Sequence, residues 1–342
     1  MDNKKILGQF MTTNYKYILQ NIVIPKNITN IIEPFCGNGD LLNLVDKDKY
    51  NIECYDIEPT NKNIIKQDTI NNPPCFKDKY IITNPPYLAR NKSNNKKLFD
   101  KYDVNDLYKC FIKELISNNP SGGILIVPLN FWSSIRANDI KLRGKFLDIF
   151  NIILINIFEE KVFEDTNYTI CSFQFELKFK NKKNNININI YPSKKHFKVL
   201  LNKNNNYMIG GEIYNLKKNK MFNITRITKD NIKKSNTNIL VKCIDDNSKN
   251  KIKLSIVNND NIYIDNTPNS SARTYASLII TPKLDIEKQT ILVNKFNEYL
   301  NNERKKYHSL FLTNYRESKD IARKRISFDL VYKIISKLLD DF

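Results

Sequence analysis

The 342-residue chain is 41% hydrophobic, enough apolar content for a buried core and, at this length, for two domains. Its 55 lysines and arginines outnumber 36 acids; the net charge of +19 points to a polyanionic partner. Six cysteines without a C-x-x-C pair, and only His196 and His308 as histidines, exclude a disulfide framework and a His- or Cys-based metal site.

The N-terminal "MDNKKILGQF" has no apolar signal core, and no run reaches membrane-spanning length, so a soluble intracellular protein with no membrane partner is expected. Apolar strands and helical segments then alternate to about residue 180, the pattern of a doubly wound α/β sheet. "NIIEPF" (30–35) reads as a buried strand, and "CGNGDLLNLV" as a glycine turn into a helix. "NIECYDIEP" (51–59) and "KYIITNPP" (79–86) are further strands. "DVNDLYKCFIKELIS" (103–117) carries Leu107, Cys110, Phe111 and Leu115 at helical spacing, with Asn105 or Asp106 as N-cap. "GGILIVPLNFW" and "NIILINIF" add strands, and "YTICSFQFELKF" (168–179) alternates like a sheet edge.

Asn and Lys dominate residues 180–206, which predicts a domain boundary or exposed loops. "NILVKCI" and "NIYID" read as short strands, a helix is expected from about Asp285, and the last helix starts at Ser327 as N-cap. The expected organisation is a Rossmann-like α/β domain over 1–180 and a smaller, largely helical α+β region over 181–342.

The turn Glu33-Pro34-Phe35-Cys36-Gly37-Asn38-Gly39 lets the backbone approach a ligand closely. A dinucleotide fingerprint would need a third glycine where Leu42 stands. Asp56, at the end of the next strand, is placed to accept both hydroxyls of a ribose, and Asp68 to accept an adenine amino group. The pocket therefore suits a nucleoside without pyrophosphate, and its acids favour a cationic group such as a sulfonium.

Asn-Pro-Pro occurs twice, at Asn72 and at Asn84. Cys75, after the first, invites the nucleophile of cytosine C5 methylation. It precedes a strand, however, whereas catalytic loops of open α/β sheets follow strand carboxyl ends. Asn84-Pro85-Pro86-Tyr87 does follow one. Two prolines fix the backbone and remove two N–H donors, leaving carbonyl oxygens and the Asn84 amide oxygen as acceptors for a planar amino group. Tyr87 offers a face on which a base can stack.

These residues resemble the S-adenosylmethionine-dependent N6-adenine DNA methyltransferases of type II restriction–modification systems. "GQFMTTNYKYIL" is similar to their N-terminal cofactor motif, with Thr13 in place of the usual proline. "EPFCGNG", "DIEP", "QDT" and "NPPY" resemble their glycine, ribose-binding, adenine-binding and catalytic motifs. The resemblance covers about residues 6–180 and implies cofactor contacts from Phe10, Thr12, Glu33, Pro34, Phe35, Gly37, Gly39, Asp56, Ile57, Asp68 and Asn84. "VFEDTNYTICSFQF" looks like the motif that packs on the extruded base, assigning Phe163 with Tyr168 as the competing choice. It further implies action on double-stranded DNA, a C-terminal target-recognition region, a CATG-like site and a cognate endonuclease of the same specificity; a basic monomer is the default expectation. Candidate DNA contacts are Lys92, Lys96 and Lys97 after the tetrapeptide, and Arg304, Arg316, Arg323 and Arg325 near the C-terminus. Related NPPY enzymes act on RNA bases or on a protein glutamine; the basic C-terminal third favours DNA over these.

Overall fold

The computed structural model describes residues 11–163, 166, 168–178, 184–232, 236–265, 274–317 and 322–342. The chain forms two units, Met1–Lys203 and Asn204–Phe342.

The first unit is built on nine strands: β1 (Asn30–Glu33), β2 (Asn51–Asp56), β3 (Ile65–Lys66), β4 (Tyr80–Thr83), β5 (Gly122–Pro128), β6 (Phe150–Phe158), β7 (Ile170–Leu177), β8 (Asn185–Tyr191) and β9 (Lys195–Leu200). They lie in the order β3-β2-β1-β4-β5-β7-β6-β8-β9. β1 to β5 are mutually parallel, and β7 runs antiparallel between β5 and β6. The order reverses between β1 and β4, so the loops leaving these two neighbours open a crevice at their carboxyl ends. Tyr80–Thr83 of β4, Gly122–Pro128 of β5 and Ile170–Phe175 of β7 are buried on both faces, as a sheet covered on both sides requires.

Helices connect the strands: α1 (Tyr15–Ile18), α2 (Lys97–Tyr102), α3 (Leu107–Asn118), α4 (Asn130–Ser133) and α5 (Ala137–Ile149). α3 begins after Asp106 and buries Cys110, Phe111 and Leu115, matching the periodicity of the sequence. The helix expected after the glycine turn is instead a five-residue 3-10 helix, Asp40–Leu44. The short apolar stretch before "DKDKY" cannot sustain a longer amphipathic face.

Two further expectations are corrected. β7 is an interior strand, its residues Ile170–Phe175 all buried, because β6 and β8 lie beyond it. The boundary falls after Lys203 rather than at residue 180, since β8 and β9 extend the first sheet. In "NININI" the isoleucines Ile186, Ile188 and Ile190 are fully buried while asparagines alternate with them; a period-2 strand was hidden by polar composition.

The second unit has a four-stranded antiparallel sheet ordered β10 (Asn223–Arg226), β13 (Tyr275–Thr281), β11 (Asn236–Lys242), β12 (Lys253–Ile256), and a hairpin of β14 (Thr313–Glu317) and β15 (Ala322–Arg325). Helix α6 (Ile286–Tyr307) packs on β12 and β11, and α7 (Phe328–Leu338) packs on α6. Both N-caps fall where the sequence places them: Asp285 accepts from Lys288 N (2.8 Å) and Ser327 Oγ from Leu330 N (3.2 Å). The unit is α+β, with strands and helices sharing it rather than helix dominating. "NIYID" forms no strand; Asn259–Asn261 is a 3-10 turn and Asp265 makes an isolated bridge to Thr228. No helix among the described residues is long and apolar enough to cross a membrane.

Candidate active site

β1 ends in Glu33, and the chain turns through Gly37 (φ 55°) and Gly39 (φ 80°), both in the left-handed region that suits glycine. The turn is pinned to the tip of β2. Asp56 Oδ2 accepts from Gly37 N (2.8 Å) and Asp56 Oδ1 from Glu58 N (2.9 Å). Beyond β3, Asp68 closes its own turn, accepting from Ile70 N (3.2 Å), Asn71 N (3.1 Å) and Asn71 Nδ2 (2.7 Å). These carboxylates face a cavity of about 210 Å³ lined also by Phe35, Gly37, Ile57, Asn84 and Pro86. Ile57 is 40% exposed, a large apolar side chain left open on the cavity wall.

Seven residues expected on sequence grounds thus meet at one cavity: Phe35, Gly37, Asp56, Ile57, Asp68, Asn84 and Pro86. Thr12, Glu33, Pro34 and Gly39 do not line it. Thr12 instead accepts from Asn84 Nδ2 (3.0 Å), and the Pro34 carbonyl accepts from Thr69 Oγ1 (2.8 Å). Glu33 is 1% exposed, and burial pushes its carboxyl well above the usual range, with the Cys54 and Asp56 charges adding to the effect. Phe10 lies outside the described residues. Sequence reasoning missed Met11, Gln67, Thr69, Ile70, Asn71, Leu98 and Leu107 on the wall. Met11 and the residues around Asp68 sit next to motif residues. Leu98 and Leu107 come from α2 and α3, and only the fold brings them back.

Asn84 leaves β4 beside the glycine turn, and Thr12 holds its amide nitrogen, which fixes where Oδ1 points. The Tyr87 hydroxyl donates to Asn84 Oδ1 and lies 2.8 Å from the Ile126 carbonyl. Tyr87 is 3% exposed, so the ring is tucked inward rather than offered to solvent. Its edge meets Tyr108 (6.1 Å between centroids, 87°) and Tyr168 (6.2 Å, 87°). Phe163 is also buried. Cys75 is exposed and precedes β4, at the end of the strand away from this cavity.

Lys92, Lys96 and Lys97 are exposed in the segment following the tetrapeptide. Of the C-terminal arginines, Arg304 forks onto the buried Asp245, with distances of 3.0 and 2.8 Å, so its guanidinium is held in an ion pair. Arg323 Nε donates to the Asp246 carbonyl (3.3 Å), and Arg325 pairs with Thr313 in the hairpin and bridges to Ile244. Arg316 lies in β14 with its side chain outside the described residues.

A glycine turn after the first strand, an acid at the tip of the second and Asn-Pro-Pro-Tyr after the fourth stand on a sheet in which β7 and β9 run against the other strands, a Rossmann-like fold. Residues 15–163 match the family described as Eco57I restriction-modification methylase, which carries the resemblance read from the sequence over that stretch. A search of curated proteins finds no match. Among solved structures, the chain is similar to one described as a modification subunit of a type I restriction enzyme from Vibrio vulnificus YJ016 (12% identity, 55% of this chain, 48% of that one, TM-score 0.43). It is similar also to the type I methyltransferase subunit from Streptococcus thermophilus (13%, 52% and 44%, 0.37) and the EcoKI M protein (14%, 53% and 48%, 0.39). The chain spans about half the length of these proteins, and at these scores they add nothing to the topology read from strand register.

Proposed function

We propose that the protein is a site-specific DNA methyltransferase that transfers a methyl group from S-adenosylmethionine to N6 of an adenine turned out of duplex DNA. One observation carries the reading: Asn84 and Pro86 stand on the wall of the same cavity as Asp56 and Asp68. A nucleoside held by the two acids and an amino group held by the tetrapeptide would therefore share one space. The residues fit that cofactor: two carboxylates for ribose and adenine groups, Phe35 and Ile57 as apolar walls, and a left-handed glycine turn that brings backbone close. When bound, the sulfonium supplies an electrophilic methyl carbon.

The chain's own part is to position the amine. Thr12 fixes the Asn84 amide so that Oδ1 accepts one amino proton, and the Pro85 carbonyl accepts the other. Two such bonds favour a pyramidal nitrogen with its lone pair free to attack. The incoming amine takes the place of the Tyr87 hydroxyl on Asn84, which frees the Tyr87 ring to turn and stack on the base. Tyr168, already at the edge of Tyr87, and Phe163 are the candidates for the second face. Lys92, Lys96 and Lys97 hold phosphates beside the extruded nucleotide, and the second unit reads the surrounding sequence, with CATG as the expected site. The product protects DNA from an endonuclease of the same specificity.

Modification-sensitive sequencing of DNA from cells expressing this chain alone tests the reading. N6-methyladenine at one short motif, absent with Asn84→Ala, is expected. Unmodified DNA alongside methylated RNA or release-factor glutamine would transfer the activity to the related NPPY enzymes.

A further inference from the structure

Asp106, the residue before α3, is a buried carboxylate that the proposed chemistry leaves unused. It occupies the N-cap position of α3 without making the side-chain cap bond, and is 8% exposed. Its backbone bridges to Ala89, two residues past Tyr87, and Leu107 N donates to the Leu88 carbonyl (3.2 Å). The backbone of Asp106 is thereby held against the segment that leaves the tetrapeptide. Leu107, its neighbour in the chain, lines the same cavity as Asn84.

The adjacent cation does not pair with it. Lys109 Nζ is committed to Asp139 (2.6 Å) and Asn105 (2.8 Å), and Asp139 in turn accepts from Ser134 Oγ (2.6 Å). Asp106 Oδ1 is left buried without a hydrogen-bond partner among the described residues. A buried carboxylate lacking a counter-ion takes up a proton rather than remain charged. Burial pushes the Asp106 carboxyl up to about 7, against the opposing pull of Lys109 and backbone N–H groups. The aromatic rings whose ionisation it opposes are Tyr87, Tyr108 and Tyr168, the cluster around the tetrapeptide.

The acceptor cage at Asn84 and Pro85 satisfies only the amino group of a base. The ring nitrogen next to the amino-bearing carbon is an acceptor and needs a donor, and the prolines have removed the local N–H groups. We infer that Asp106, as a neutral acid, donates from its carboxyl group to that ring nitrogen, N1 of adenine, and so selects the base that the cage holds. This inference rests on the proposed base chemistry and adds a base-reading residue to it. No covalent bond changes at Asp106; the proton stays shared across one hydrogen bond.

The test compares kcat/KM on duplexes carrying adenine or 1-deazaadenine, in which C–H replaces N1, at the target position. The wild type should prefer adenine by roughly 10- to 100-fold. In Asp106→Ala that preference should collapse to within about 3-fold, and the ratio of the two preferences cancels any difference in extruding the bases. Asp106→Asn keeps a donor at the cap position, so its preference persists. Groups facing Asp106 are Tyr87 from the β4 exit, Tyr108, Lys109 and Cys110 from α3, and Tyr168 before β7, with Asp139 of α5 behind Lys109. The wild-type preference should therefore fade as pH rises through about 7, while that of Asp106→Asn does not. If Asp106→Ala fails to fold, this difference in pH profile decides. An unchanged preference in Asp106→Ala, or the same pH fade in Asp106→Asn, overturns the inference. A wild type that methylates neither duplex would instead sink the proposed function itself.

Discussion

The two units use their charged residues in opposite ways. In the first, acids are spent on a cavity: Asp56 and Asp68 fix turns on its wall. In the second, ions are spent on the fold. Arg304–Asp245, Arg226–Asp265 (3.0 Å) and Lys242–Asp246 are all pairs with a largely buried cation. Net charge is therefore a poor guide to which basic residues meet DNA, because a buried arginine with a carboxylate partner is no longer available.

The contrast predicts different consequences for removing a charged or polar group from each unit. Asn84→Ala should lower turnover by roughly 10²- to 10³-fold or more while cofactor binding, followed by calorimetry, is retained. A variant with unaltered turnover would remove Asn84 from the chemistry. Asp245→Ala leaves the largely buried Arg304 without its carboxylate partner, so unfolding in urea should show a loss of about 3–5 kcal/mol. If that variant lost DNA affinity with no change in stability, Arg304 would be a contact after all. Tyr87→Phe keeps the ring and should stay within several-fold of wild-type activity, whereas Tyr87→Ala should lose about 1–3 kcal/mol of base stacking, read as kcat/KM.

What the sequence revealed follows the same division. Asp56, Asp68 and Asn84, singled out by residue type and spacing, meet at one cavity. The apolar wall is not singled out in this way: Leu98 and Leu107 satisfy a shape rather than a reaction, and any similar side chain would read alike. The ion pair of Arg304 is not legible in the sequence because its partner Asp245 is 59 residues away, and only the tertiary fold pairs them. β8 was missed since its asparagines masked the alternation, although the "NINI" period was present in plain view.

Two smaller effects sharpen the comparison. The folded Asp106 carboxyl titrates near 7, above its ordinary 3.8, so the neutral form stabilises the fold fully below about 3.8 and that contribution is lost as pH rises to about 7. Asp106→Asn should therefore gain roughly 1–3 kcal/mol over wild type at pH 8 and little at pH 4, measured by denaturant titration. Removing Lys92, Lys96 and Lys97 together should flatten the dependence of log affinity for duplex DNA on log salt by about 0.9 for each phosphate no longer neutralised. An affinity for DNA that is flat with salt in the intact protein would deny the basic surface its role.

The central claim is that a methyl donor held at Asp56 and Asp68 and a base amino group held at Asn84 meet in one cavity. Duplex DNA incubated with the protein and methyl-tritiated S-adenosylmethionine, then digested to nucleosides, addresses it directly. All label is predicted to elute as N6-methyldeoxyadenosine; label on C5 of cytosine, or in protein or RNA controls but not in DNA, would contradict it.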